Sequence, residues 1–158
     1  MTARWRAQML RRIVAFVVAA AVMVVLGSAA HSYFVQDAWS TAAGSADGTG
    51  YAAIPLADRI SWAAHDLGGM IVPYAGFTSI SLLIAFLVAG VVARFAGLRM
   101  MIFGLAGALA LFTLFTLLKM ALGTVGIFGA RGAGGLAAQM TVGLIAGVLF
   151  AKLTTRSK

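Results

Sequence analysis

Residues 13–36 read IVAFVVAAAVMVVLGSAAHSYFVQ, 24 positions without one Asp, Glu, Lys or Arg. A helix rises about 1.5 Å per residue, so roughly 20 apolar residues cross a hydrocarbon core about 30 Å thick. Three more uncharged stretches follow at 67–93, 100–118 and 132–151, of 27, 19 and 20 residues. With 62% hydrophobic residues and a mean hydropathy of +1.00, the 158-residue chain has too little polar surface for a water-soluble globule. These stretches predict an all-α integral membrane protein, a four-transmembrane-helix bundle with spans at about 13–32, 72–93, 100–122 and 135–151. They leave room for one membrane domain and no second one.

The net charge of +8 has its explanation in where the cations sit. Arg4, Arg6, Arg11 and Arg12 precede the first span, Arg94 and Arg99 separate the second from the third, and Lys152, Arg156 and Lys158 follow the fourth. Arg59, Lys119 and Arg131 fall on the other side with all four acids, Asp37, Asp47, Asp58 and Asp66. Cationic loops resist translocation, so both termini are expected in the cytoplasm of a bacterial-type inner membrane, N-in and C-in. Basic residues that mark topology need no nucleic acid to neutralise them, and none is expected as a partner. The absence of cysteine excludes disulfides, thiolate metal sites and cysteine nucleophiles. The basic start, the apolar run and Gly27-Ser28-Ala29-Ala30 also resemble a secretory signal with a cleavage site. Apolarity persists through Val35, however, and that length predicts an uncleaved anchor.

The segment 33–70 is expected as the one long outer loop. Its centre, 40–50, is small, polar and glycine-rich, too poor in apolar mass to pack, which predicts a mobile stretch. Within it, Pro55 at a first helical position and Gly68-Gly69 at the end predict a short amphipathic helix over 55–67. Leu56, Ile60, Ala63, Ala64 and Leu67 share its apolar face, and Asp58, Ser61, Trp62, His65 and Asp66 its polar face. Such a helix is expected to lie on the outer membrane surface or to cap the bundle, with Trp62 turned to headgroups or a partner. Pro73 is expected in the first turn of the second span, where its missing N–H is harmless. The third connection, 123–134, is glycine-dense and apolar and reads as a plain loop.

Small residues recur every fourth position on two spans: Ser81, Ala85, Ala89 and Ala93 on the second, Gly135, Gln139, Gly143, Gly147 and Ala151 on the fourth. Such rows let helix backbones approach closely, either within the bundle or between protomers, and Gln139 is expected to hydrogen-bond between helices. Lys119 is flanked on both sides by apolar sequence, which makes it a functional candidate. Some 20 residues from Arg99, it is also placed to snorkel to the outer interface, or to pair with Asp66 or Asp37. His65 and Asp66 are candidate polar groups, but adjacent helical positions point 100° apart, and His31 has no ligand at i+3 or i+4, so no metal or haem is expected. Asp58, Ser61 and His65 have the composition of a hydrolytic triad. Asp58 nevertheless lies about 10.5 Å along the axis from His65 and cannot orient its imidazole. The glycines of 123–135 lack the Gly-Lys-Ser/Thr ending of a phosphate loop.

No catalytic, cofactor or ion-pathway motif is present, and the expected role is a non-enzymatic accessory, scaffold or assembly component that holds a membrane-protein partner or a second copy. The alternative is a subunit of an oligomeric small-solute or ion transporter or channel lined by Lys119, Gln139, Thr113 and Thr116. Polar placement separates the two: a pathway needs those side chains to converge, whereas a scaffold buries them in separate pairs.

Overall fold

The computed structural model describes residues 3–123, 125 and 127–155. Thr124 and Gly126 of the third connection, and Arg156 and Lys158 of the basic tail, lie outside them. The described residues form four α-helices, α1 (Ala3–Asp47), α2 (Leu56–Ala96), α3 (Arg99–Leu122) and α4 (Ala133–Thr154), with a 3-10 turn at Phe128–Ala130 and no strand. All four are long and apolar enough to cross a membrane. Only 22–39% of each apolar window is buried inside the bundle. Val17, Phe77, Leu87 and Leu109 are among the large apolar side chains left outside, a surface that only hydrocarbon solvates well.

Each helix packs on its chain neighbours, and α4 closes the ring against α1. The turn Gly97-Leu98 is short because Gly97 takes up the left-handed conformation (φ 69°) that ends α2 and frees the chain to reverse into α3. Arg11 Nε donates to the Leu153 carbonyl at 2.8 Å and its Nη2 to the Thr155 carbonyl, tying the start of α1 to the end of α4. Arg99 Nη2 donates to Thr154 Oγ1 at 2.7 Å. The arginines of α1, α2 and α3 and Lys152 of α4 therefore gather at one end of the bundle, and the four aspartates lie toward the other.

The expected loop 33–70 is a helical hairpin instead. α1 continues 15 residues past position 32, about 22 Å, and α2 begins 16 residues ahead of its apolar window, about 24 Å. The amphipathic helix 55–67 is the first part of α2, and Gly68-Gly69 do not end it; Pro73 is accordingly interior to a 41-residue helix. Two causes overrode the local signals. Apolar side chains at the tip are few, but those present meet: the Trp39 and Trp62 rings cross edge-to-face at 5.5 Å, and Ile54 is buried. Small residues also let the strand of chain after α1 fold back on it. Ala52 N–H donates to the Ser40 carbonyl at 2.9 Å, and a Cβ at Gly44 would lie 2.2 Å from the Tyr51 backbone. Trp62 thus meets α1 of its own chain.

The tightest crossing is α3 on α4. A Cβ built on Gly107 would come within 2.0 Å of the Gly143 carbonyl oxygen, and one on Gly143 within 2.2 Å of the Gly107 oxygen. Gly147 sits in the same way against the Phe103 carbonyl, at 1.9 Å. At the basic end the bundle is filled by rings: Phe86 stacks on Phe150 at 4.7 Å and meets Phe103 edge-on at 5.4 Å. Gly143→Ala is expected to destabilise the bundle by about 1–3 kcal/mol, because the added methyl forces the backbones apart. Gly68→Ala, with nothing within 4 Å of the new carbon, should be neutral or up to about 1 kcal/mol more stable. Reversible unfolding of both variants in detergent tests the contrast, and equal stabilities would contradict the backbone contact.

Candidate functional site

Gln139 is wholly buried where α1, α2 and α4 meet. Tyr74 Oη donates to its Oε1 at 2.7 Å, and its Nε2 donates to the Gly27 carbonyl at 2.9 Å, so one side chain links three helices. A Cβ at Gly27 would stand 1.9 Å from the Tyr74 oxygen, so any larger residue there would displace the Tyr74 ring from Gln139. A polar group buried in an apolar span is costly when unpaired, and both ends of this amide are satisfied.

The row that carries Gln139 turns as it climbs. Four residues of α-helix make 400°, so an i, i+4 series drifts by about 40° per step. Gly143 and Gly147 face α3, Gln139 faces α1 and α2, and Gly135 meets the 3-10 turn, where a Cβ would come within 1.7 Å of the Gly129 carbonyl. On α2, Ser81 Oγ donates to the Ala110 carbonyl of α3 at 2.9 Å. Ala85 is half-buried and Ala89 buried, and together with Ser81 they line a lateral groove of about 680 Å³ between α2 and α3. That groove is apolar and opens to the side of the bundle, flanked by Phe77, Ile84 and Leu109.

A second polar row runs along α1. Ser28, Ser32, Gln36 and Ser40 are all at most 5% exposed, and the row continues the bundle interior into the hairpin. Ser32 Oγ donates to Asp66 Oδ2, and Gln36 Nε2 donates to the Arg59 carbonyl at 3.0 Å. Arg59 Nε in turn donates to the Ile54 carbonyl at 3.2 Å. His31 accepts the Gly129 N–H on Nδ1 at 3.1 Å, which docks the 3-10 turn on α1 and requires the neutral ring with its proton on Nε2.

The remaining candidates are dispersed. His65 is exposed on α2, while its neighbour Asp66 points inward to Ser32. Asp58 and Ser61 are exposed, as His65 is. Lys119 is exposed in the last turn of α3 and makes no ion pair with Asp66 or Asp37. Thr116 donates back to the Phe112 carbonyl of its own helix at 2.8 Å, and Thr113 lies at the open groove. Among the described residues no three His, Cys, Asp or Glu side chains approach closely enough to hold a metal ion.

Tyr74, Gly27, Gly107 and the α1 row are absent from the candidates read off the sequence. The spacing 28, 32, 36, 40 is visible there, but it spans the expected helix end at 32 and so goes unread. Tyr74 and Gly27 carry no local signal, because each matters only for the partner that the bundle brings to it. Comparison with protein-family models, with curated proteins and with solved structures finds no match to this chain.

Removing the Tyr74 hydroxyl (Tyr74→Phe) and replacing Gln139 by Leu should be coupled. A double-mutant cycle on unfolding in detergent is expected to give about 0.6–1.7 kcal/mol, the range for buried interhelical hydrogen bonds in membranes. A coupling of zero would mean that Tyr74 and Gln139 do not share a bond.

Proposed function

We propose that this chain is a non-enzymatic accessory, scaffold or assembly component of a membrane complex in a bacterial-type inner membrane, with both termini in the cytoplasm. The observation that carries the reading is the separation of its polar groups. Gln139 is spent on Tyr74 and Gly27, Asp66 on Ser32 and Thr116 on its own backbone, so each acts as a tie between or within helices. Against a transport pathway stands the lack of convergence: Gln139 is sealed inside, Thr113 faces the lateral groove and Lys119 lies at the helix end. The orientation rests on the gathering of the Arg-rich helix ends at one face, by the positive-inside rule.

Two surfaces suit a holding role. The α2–α3 groove has a floor of small side chains, Ser81, Ala85, Ala89, Ala106 and Ala110, on which a partner's transmembrane helix could approach closely. The α1–α2 hairpin stands about 20 Å beyond the spans and carries exposed Asp37, Asp58, His65 and the edge of Trp39. The small-residue row of α4, by contrast, is consumed inside the chain, on α3, on α1 and α2, and on the 3-10 turn.

Extraction in mild detergent at native expression level, followed by sizing and identification of co-eluting proteins, tests the proposal. A foreign membrane protein is expected in stoichiometric amount. Ala106→Leu, which fills the groove, should lower its recovery at least ten-fold, while Val25→Phe on the outer face of α1 should leave it unchanged. Recovery of the chain alone, as monomer or homo-oligomer, would contradict the accessory role. Lys119→Met is expected to leave fold stability and partner recovery within about 0.5 kcal/mol and two-fold of the parent, as for an exposed surface substitution. Loss of solute flux in liposomes on that substitution would instead establish transport.

A further inference from the structure

At the basic end, α1 and α2 part around a cleft of about 520 Å³, within the size range of small-molecule sites. Arg12, Arg94 and Arg99 stand at its mouth, each from a different helix, and its wall is apolar, with Phe16, Phe86 and Leu87 along it. Three cations around one opening repel each other unless something neutralises them. No carboxylate side chain does: all four aspartates lie toward the opposite end of the bundle, on the last part of α1 and the first part of α2. Arg11, next to Arg12 in sequence, is engaged with α4 carbonyls, so it does not share this mouth.

Arg99 is held in place at this cleft. Its guanidinium carbon lies 4.8 Å from the centre of the Phe103 ring and its Nη2 is bonded to Thr154, yet its Nε is buried with no hydrogen-bond partner among the described residues. A guanidinium so fixed at the cleft suits a phosphate through its fixed positive charge, the enclosed Nε taking no part. The arginines flank the ends of the spans, at headgroup depth, and Phe86 is two turns deeper than Arg94, about 12 Å. Gly90 opens the wall between them: a Cβ there would touch only the Phe103 ring, at 3.9 Å.

We propose that this cleft binds one anionic phospholipid of the leaflet at the basic end. Its phosphate lies among Arg12, Arg94 and Arg99, and one acyl chain runs down the wall past Gly90 to Phe86. A free phosphate would use the mouth alone, whereas the apolar wall faces hydrocarbon and matches a chain continuous with the headgroup. The site is independent of the α2–α3 groove and of the holding role proposed above.

The test uses the full chain, delipidated in neutral detergent and titrated with phosphatidylglycerol or with phosphatidylcholine of the same acyl chains. Retained lipid is read by native mass spectrometry and thermal unfolding. One phosphatidylglycerol is expected to bind saturably, at least ten-fold more tightly than phosphatidylcholine, and millimolar inorganic phosphate should not displace it. Arg12→Gln and Arg94→Gln, both exposed and free of the Thr154 link, should each weaken it about five-fold, the worth of one basic residue at an anionic surface. Gly90→Leu should weaken it by filling the wall, and Arg4→Gln with Arg6→Gln should not. Equal retention of the two lipids, or no effect of Arg12→Gln and Arg94→Gln, would overturn the proposal. Displacement by inorganic phosphate with no effect of Gly90→Leu would also overturn it and leave a site for free anions.

Discussion

In hydrocarbon, two helices gain nothing by hiding apolar surface from their solvent, so they stay together only where their atoms touch closely. The contact that meets this requirement most fully is Gly107 against Gly143, where the α3 and α4 backbones meet with no side chain between them. The rest of the bundle is arranged around it. Once Gly143 and Gly147 face α3, the 40° drift of the same row carries Gln139 round to α1 and α2, and Gly135 to the 3-10 turn. One glycine crossing therefore decides which helices the single buried amide can join.

Along its axis the molecule changes the kind of force that holds it. At the basic end, aromatic rings and arginine bonds to C-terminal carbonyls of α4 join the helices. In the middle, backbones approach over glycine, and Tyr74, Gln139 and Gly27 form the polar tie. Beyond the spans, the hairpin depends on Trp39 against Trp62, Ser32 with Asp66 and Gln36 with the Arg59 carbonyl. Outside hydrocarbon, hydrogen bonds compete with solvent and apolar burial regains its driving force. The hairpin's few buried groups are what hold it together, and α1 and α2 run on from it into the spans.

The continuity of those helices also bears on function. A surface helix free to roll on a membrane presents a different target from a hairpin continuous with two spans. Asp66 and Ser32 sit at the level where the hairpin meets the bundle, so whatever binds the hairpin acts on the same helices that frame the lateral groove and the arginine-rimmed cleft.

The amino-acid sequence by itself determined that the chain is helical, that it carries four apolar spans and that its cations and carboxylates separate along it. These are additive properties of composition and length, and no long-range contact is needed to create them. Tertiary structure alone decided three things. It carried α1 on to Asp47 and α2 through Gly68-Gly69 and Pro73, because the Trp39–Trp62 contact between the helices and the packing of the connection on Gly44 outweighed local breaking signals. It gave the α4 row four partners, α3, α1, α2 and the 3-10 turn, since the row meets whichever element its drift turns it toward. It brought Arg12, Arg94 and Arg99 to one opening, from positions up to 87 residues apart. Each of these depends on which helices become neighbours, and in lipid that choice rests on backbone shape at a few glycines, a quantity that hydropathy does not encode.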